Sequence, residues 1–364
     1  MKRIFLGTTA LCGMALVALP AMAGPVAAND AFDVSIGLEL RYRFDHTSQT
    51  QTLGRGRGYA LAADEGEFKV RGSRKGDNGL LYGFEIETNA LTSDATMSDE
   101  AWMFVENGWG RIEMGDQDSA NDRLFRAAEN VMAGRQGWEG DIIDIWTGAD
   151  ILNVNSRTSD ATKVTYFTPR LFGFQLGASF TPDSGQNGFT RDADDDGDFE
   201  QIFGLAGAYE AQLSAVTLKL TGFIERGDSE AAAPAGGASE HGLDIYGVGG
   251  TVEYAGFGLG AGRVDLDKSG VVTTVAGDAG AWWNLAASYG EGPWKLSAGY
   301  YESRHSLSAT VTHRVDIVAF DGHYNVAPGW QAAAGLYFMD VTDLNVAGDD
   351  NDGHIVLLSN QFLF

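Results

Sequence analysis

Cysteine is nearly absent from this 364-residue sequence, whose single cysteine, Cys12, lies close to the N-terminus. The rest of the chain therefore has neither a disulfide scaffold nor a zinc site built on cysteines, and a cysteine nucleophile is excluded there as well. Proline is also scarce, with 7 residues, so a proline-rich disordered polymer is excluded.

Positively charged residues are also scarce. Lysine and arginine total 25 against 50 aspartates and glutamates, a formal net charge of −25. Contacts to nucleic-acid phosphates require a basic surface, so we predict no nucleic-acid partner. Beyond the N-terminal segment the sequence has no apolar run of about 18 residues, which excludes a transmembrane helix there.

The N-terminal segment has the pattern of a secretory signal. Lys2 and Arg3 form a positive head, residues 4–19 are mainly apolar, and Ala21 and Ala23 supply the small residues of a cleavage site. We predict a signal peptide over residues 1–23, with cleavage after Ala28 as the alternative, and an exported domain over residues 24–364.

Glycine and aromatic residues are abundant, and they occur in segments with a period of two. The chain has 49 glycines, 20 phenylalanines, 12 tyrosines and 8 tryptophans. In residues 32–44 every even position is apolar or aromatic, from Phe32 to Phe44, and every odd position is polar or glycine. Successive side chains of a strand point to opposite faces, so this pattern predicts a strand with one apolar and one hydrated face.

Similar alternating segments recur along the chain. We predict sixteen strands, near residues 32–44, 64–73, 79–90, 99–106, 110–116, 161–168, 173–182, 199–210, 214–226, 241–254, 257–268, 279–289, 293–305, 311–324, 330–340 and 353–364. Tight turns alternate with longer polar connectors between them. This alternation is typical of a barrel that spans an outer membrane. The predicted fold is therefore all-β, a 16-stranded antiparallel transmembrane β-barrel wide enough for an aqueous channel.

Four segments resemble the Gram-negative general porins, in particular those of alphaproteobacterial type. They are the start Phe32-Asp-Val-Ser-Ile-Gly-Leu-Glu-Leu-Arg-Tyr42, the hairpin Met103-Phe-Val-Glu-Asn-Gly-Trp-Gly-Arg-Ile-Glu-Met-Gly-Asp-Gln117, the stretch Tyr166-Phe-Thr-Pro-Arg-Leu-Phe-Gly-Phe-Gln-Leu-Gly-Ala-Ser-Phe180 and the terminal Phe364. The resemblance implies a homotrimer in the cell outer membrane, with a long third loop folded into each lumen. The Pro-Glu-Phe-Gly-Gly loop signature of the enteric branch is missing.

Residues 117–160 form the longest connector, and connectors of this length are usually functional. We predict a helix over Asn121–Ala133, with Trp138, Ile145 and other apolar residues fixing the connector to the barrel wall. Its predicted acidic pore residues are Asp118, Asp122, Glu129, Glu139, Asp141 and Asp144.

Basic residues on the hydrated faces of early strands are predicted to lie opposite these acids. They are Arg41, Arg43, Lys69, Arg71 and Arg111. Bases facing acids set up a transverse field that sorts solutes by charge. The alternative is that the bases pair with Glu39, Glu67, Glu85 and Glu113 as ordinary neighbours on the hydrated face.

The expected function is passive diffusion of ions and small hydrophilic solutes, without an enzymatic step or a required cofactor. The net charge favours cations. A substrate-specific channel and a secreted soluble β-rich adhesin are the alternatives. The sequence has no Gly-x-Ser-x-Gly elbow, and its six histidines show neither His-x-His nor His-x-x-x-His spacing. A barrel enzyme whose catalytic residues meet only in space is a further, weaker alternative.

Two further sequence motifs are weaker indications of function. Asp192, Asp194 and Asp196 match the start of a calcium loop, but Phe203 stands where a bidentate glutamate is expected, which argues against a helix–loop–helix hand. The alternatives are solvated loop acids, which the sequence favours, and an isolated calcium site. Phe362 and Phe364 resemble the terminal signal read by the barrel-assembly machinery, or they simply end the last strand. Outer-membrane lipid and lipopolysaccharide are the other expected partners.

Overall fold

The computed structural model describes residues 32–51, 57–91, 97–134, 138, 145–146, 151–185, 197–230, 239–274, 276–344 and 346–364. The predicted signal peptide, residues 1–23, lies outside these residues. None of the helices in the described ranges has the length and apolar character needed to cross a membrane.

Sixteen β-strands form one closed sheet. They are β1 Asp33–Gln49, β2 Tyr59–Lys75, β3 Leu81–Asn89, β4 Ser98–Asn107, β5 Gly110–Asp116, β6 Thr162–Phe167, β7 Phe174–Asp183, β8 Phe199–Leu213, β9 Val216–Ser229, β10 Leu243–Tyr254, β11 Phe257–Asp265, β12 Ala281–Glu291, β13 Trp294–Ser306, β14 Thr312–Ala327, β15 Trp330–Thr342 and β16 Asn351–Leu363. Each strand pairs antiparallel with its neighbours in sequence, and β1 pairs with β16. The predicted sixteen-stranded barrel is confirmed.

The strands β1 and β2 extend further than predicted. The sequence predicts that residues 45–63 form a connector outside the sheet. In the structure, β1 runs to Gln49 and β2 begins at Tyr59. The polar residue Asp45 faces inward, where its carboxylate lies 3.5 Å from Nε of Arg43. A polar side chain that is paired inside the barrel can continue a strand. The polarity of the sequence therefore places the end of β1 too early.

The two faces of the wall differ as the period of two predicts. On β9, Leu220 and Ile224 point outward and are about half exposed, whereas Phe223 and Glu225 point inward and are buried. Short turns close one end of the barrel, at residues such as 214–215 and 255–256, and the longer connectors lie at the other end. We call these the short-turn end and the long-loop end.

The terminal strand closes the barrel through its last residue. The backbone N–H of Phe364 donates to the carbonyl oxygen of Leu38 at 2.9 Å, and the N–H of Leu38 donates back at 3.1 Å. The ring of Phe362 stacks on Trp330 with centroids 5.5 Å apart, while the Phe364 side chain is exposed.

The interior is less uniformly polar than the alternation predicts. Inward-facing side chains of β10–β16 form much of a hydrophobic core, including Ile245, Val315, Ile317 and Leu357, all nearly inaccessible to solvent. These side chains are buried because residues of the connector between β5 and β6 pack in the same hydrophobic core. The charged inward positions concentrate on β1–β5.

Candidate functional site

The connector between β5 and β6, residues 117–161, begins with a short helix rather than the continuous helix predicted over Asn121–Ala133. Helix α1 spans Ala120–Leu124, and a 3-10 helix spans Ala128–Asn130. Phe125 and Ala127 between them have extended backbones. The break frees the N–H of Arg126, which donates to Oγ1 of Thr221 on β9 at 3.0 Å. Tertiary contacts with the wall therefore override the helical pattern.

A row of wall side chains accepts hydrogen bonds from the backbone of this connector. Five strands contribute one acceptor each. The pairs are Ala120 N–H to Ser179 Oγ on β7 (2.7 Å), Arg126 N–H to Thr221 Oγ1 on β9 (3.0 Å), Ala128 N–H to Asn284 Oδ1 on β12 (3.2 Å), Ala133 N–H to Ser297 Oγ on β13 (2.6 Å), and Gly134 N–H to Asp321 Oδ1 on β14. The first part of the connector is thereby held along the wall from β7 to β14.

Glu225 on β9 joins the two ends of the connector. It is fully buried, and its carboxylate accepts hydrogen bonds from Nδ2 of Asn121 (3.0 Å), Oγ of Ser156 (2.7 Å) and the backbone N–H of Arg157 (2.7 Å). Asn121 lies in α1, whereas Ser156 and Arg157 lie in the returning segment. One wall carboxylate thus fixes both segments.

Inward-facing glycines provide the space in which the connector lies. A Cβ on Gly249 of β10 would overlap the carbonyl oxygen of Arg126, and one on Gly262 of β11 would overlap Cβ of Ala127. A Cβ on Gly260 would lie 2.9 Å from the Ala127 carbonyl oxygen. The absence of side chains at these positions lets the connector backbone approach the wall.

The returning part of the connector is fixed by aromatic side chains. Trp282 Nε1 donates to the carbonyl oxygen of Val154 at 2.9 Å, and the Tyr301 hydroxyl donates to that of Leu152 at 2.6 Å. The ring of Trp138 stacks on Tyr301 with centroids 5.9 Å apart. Trp138 therefore makes the kind of wall contact that the sequence predicts for the connector's apolar residues.

The five predicted basic residues all lie on the inner wall, and all are paired with carboxylates of the same wall. Arg41 and Arg43 are buried and share Asp64, at 3.1 and 3.3 Å. Lys69 Nζ lies 2.8 Å from Glu67 and 2.7 Å from Glu87.

The other two bases are more accessible to water. Arg71 forms a two-pronged pair with Glu85, at 2.5 and 2.8 Å, and about half of its side chain is exposed. Nε of Arg111 lies 2.5 Å from Glu113, which also accepts from Arg123 of α1. For Lys69, Arg71 and Arg111 these are carboxylates that the alternative reading of the sequence named.

The predicted acidic residues of the connector do not converge on one point. Asp118 is buried near the start of the connector, and its carboxylate lies within 4.8 Å of those of Glu100 on β4 and Asp160. Asp122 lies in α1, beside Ser119. Glu129 accepts a hydrogen bond from Asn284 of β12 at 2.8 Å. Glu139, Asp141 and Asp144 lie outside the described residues, as do the calcium candidates Asp192, Asp194 and Asp196.

Burial raises the pKa of Asp122, Glu129 and Asp160 in the connector. The pKa of Asp122 is raised well above its usual range, first by burial and then by Asp118 and Glu225. The pKa of Asp160 is raised to about 7 by burial and by the charges of Asp118 and Asp99. The group formed by Glu100, Asp118 and Asp160 has the oxygen ligands that hard dications take. It also lies close to a buried base, Lys163.

Sequence reasoning missed the groups that hold the connector. In the sequence, Glu225 looks like any other acidic residue on the hydrated face of a strand. The inward-facing glycines belong to no recognisable motif. The available signal was the frequency of glycine at inward positions of strands, because glycine inside a strand commonly marks a close backbone approach.

The comparisons with known proteins agree with this architecture. A sequence model of the family described as Gram-negative porin matches residues 15–344. An uncharacterised protein of Rickettsia conorii is 23% identical over 69% of this chain and 72% of its own length.

Solved structures of outer-membrane proteins are similar in fold. OmpT of Vibrio cholerae, in its trimer form, has a TM-score of 0.64 and 13% identity, covering 92% of this chain and 100% of that one. The outer membrane channel DcaP of Acinetobacter baumannii has a TM-score of 0.64 and 11% identity, covering 94% and 100%. At these identities the similarity shows the fold alone.

Replacing the glycine beneath the connector should displace it. We expect Gly249→Ala to lower the free energy of unfolding by about 1–3 kcal/mol, because the added Cβ overlaps the Arg126 carbonyl oxygen. Urea unfolding in detergent measures this. The matched control is Gly222→Ala on β9, where the nearest atoms lie 3.5 Å away. Equal stability of the two variants would contradict the close approach.

Proposed function

The chain belongs to the Gram-negative porin family, and on this premise we propose that it allows passive diffusion of ions and small hydrophilic solutes. It is an outer-membrane β-barrel channel. The predicted signal peptide, residues 1–23, is consistent with export across the inner membrane.

The observation that carries this proposal is the division of the inner wall. One sector, β1–β5, presents paired charges, of which Arg71 and Arg111 remain accessible to water. The connector is held on the other side, along β7–β14, by hydrogen bonds to side chains such as Ser179 and Asp321. In this proposal the connector narrows the lumen and solutes pass between it and the charged sector.

The assembly of the channel is also part of the proposal. A trimeric form is among the solved structures with the same fold, which supports a homotrimer. The outward apolar residues, such as Leu220 and Ile224, fit contact with outer-membrane lipid. We further propose contact with lipopolysaccharide at the long-loop end, and recognition of Phe362 and Phe364 by the barrel-assembly machinery.

A substrate-specific channel is the second candidate, and one cluster favours it. The guanidinium carbon of Arg111 lies 3.7 Å from the ring centre of Phe104, and that of Arg123 lies 4.9 Å from the ring centre of Phe167. Stacked cations and aromatic faces inside a lumen bind planar solutes. Saturable flux, or block by one solute, would distinguish this candidate from passive diffusion.

Planar-bilayer recording tests the main proposal. We expect the purified, refolded protein to produce stepwise conductance increments in groups of three, since three barrels insert together as a trimer. Liposomes containing the protein should become permeable to small sugars and ions without an energy source. Liposomes that stay sealed, with a protein that is monodisperse in buffer without detergent, would contradict the channel and favour a soluble β-rich protein.

Removing a lumen base should change ion preference. We expect Arg71→Ala to raise the cation-to-anion permeability ratio by up to about fourfold, because Coulomb's law gives about 0.4 kcal/mol between unit charges 10 Å apart in water, with opposite signs for cations and anions. Arg41→Ala should act in the same direction. Reversal potentials across a salt gradient measure the ratio.

The matched control for these variants is Arg226→Ala, since Arg226 also pairs with a carboxylate, Asp244, but points outward. An unchanged ratio in Arg41→Ala and Arg71→Ala would remove both residues from the constriction.

The ion selectivity of the channel should depend on pH, because the pKa of Asp160 is raised. A carboxyl group with a pKa of about 7 is neutral below that pH and charged above it. We therefore expect cation preference to increase between about pH 6 and about pH 8. Reversal potentials recorded across this range measure the step, which Asp160→Asn should flatten. The same step in the variant and the parent would show that another group titrates.

A further inference from the structure

Two histidines on consecutive strands meet across a hairpin at the long-loop end. His305 lies on β13 and His313 on β14, and they are direct partners in the antiparallel register. Their ring centres are 4.9 Å apart, and the ring planes are inclined at 44°. Direct cross-strand partners point to the same face, so both side chains belong to the inner wall.

A neighbouring backbone carbonyl fixes the tautomer of His313. Its Nδ1 lies 3.2 Å from the carbonyl oxygen of Asp343. A carbonyl oxygen can only accept, so Nδ1 carries the proton and Nε2 keeps its lone pair. Asp343 is itself held in place, because its Oδ1 accepts from the N–H of Gly348 at 2.6 Å and its own N–H donates to Asp350 at 3.0 Å.

The Nε2 atom of His313 is buried, and within the described ranges it has no hydrogen-bond partner. The residue is 1% exposed. Asp343 follows β15, on one side of β14, whereas His305 lies on the other side. Since the two nitrogens of an imidazole point in nearly opposite directions, the contact with Asp343 turns Nε2 toward His305.

This arrangement has the features of an imidazole ligand pair. Histidines that bind metals commonly donate their second ring N–H to a carbonyl or carboxylate, as His313 does. Two imidazoles that bind one zinc ion at about 2.0–2.1 Å with a tetrahedral angle have ring centres roughly 5 Å apart. The observed separation of 4.9 Å matches this value.

The surrounding charges do not oppose a cation. Arg304 and Arg314 are next to the two histidines in sequence, but alternation turns their side chains to the outer face. Arg314 is paired there with Glu302 and Asp316, at 3.1 and 2.7 Å. His305 is only partly buried, which leaves a side open to water for the remaining ligands.

We propose that His305 and His313 form a binding site for a transition-metal dication such as Zn²⁺ or Cu²⁺ at the long-loop end of the barrel. Imidazole suits these metals, whereas Ca²⁺ and Mg²⁺ take oxygen ligands. The metal joins β13 to β14 and completes its coordination with water. The site is independent of solute passage, so it stands or falls separately from the channel function.

Calorimetric titration of the refolded protein in detergent with ZnCl₂ tests the site. We expect one Zn²⁺ per chain that an excess of CaCl₂ does not displace. His305→Gln and His313→Gln should each weaken binding by at least about tenfold, since each removes a ligand. The matched control is His241→Gln, which removes a histidine of the connector between β9 and β10 and should leave the affinity unchanged.

Paramagnetic resonance of the Cu²⁺ complex gives a second readout that does not depend on affinity. The parent protein should show coupling to two imidazole nitrogens, and each of the two pair variants should show coupling to one. Circular dichroism establishes that each variant keeps its strands. Absence of Zn²⁺ binding by the folded parent, or equal binding by His305→Gln and His241→Gln, would overturn the proposal.

Discussion

Closure of the hydrogen-bond ladder between β1 and β16 is the constraint on which the structure depends. Inside a bilayer no water is present to satisfy an open strand edge, so every strand must have two partners. The register from Gln49 opposite Gly353 to Glu39 opposite Leu363 supplies them. Closure also fixes which side chains share the lumen, because residues on sixteen strands then face a single interior.

That interior is divided between two kinds of interaction. The connector is held mainly by uncharged contacts, such as the hydroxyl of Ser179, the bare backbone at Gly249 and the ring of Tyr301. Glu225 and Asp321 are charged members of that set, and Glu113 pairs with Arg123 of α1. Arg41, Arg43, Lys69 and Arg71 pair with carboxylates of the wall on the other sector, so these charges can vary without releasing the connector.

The sequence predicted local features well and long-range ones poorly. Alternation located all sixteen strands, because the side-chain period of a strand is a property of neighbouring residues. It misplaced the end of β1, where Asp45 is paired inside the barrel. The meeting of His305 and His313 was invisible to a search for closely spaced histidines. Their contact is created by the register of a hairpin, which a spacing rule for one strand or helix does not contain.

The connector's helix is shorter than its sequence predicts because of contacts with the wall. Residues 121–133 have a helical apolar pattern, but where the helix breaks, two backbone N–H groups find acceptors on the wall, Thr221 for Arg126 and Asn284 for Ala128. A short helix gains little from its own hydrogen bonds, since nucleation is unfavourable. The hydrogen-bond acceptors on the barrel wall therefore determine the path of the connector's backbone. The sequence of the connector alone cannot contain that path, because side chains of β7–β14 accept hydrogen bonds from its backbone.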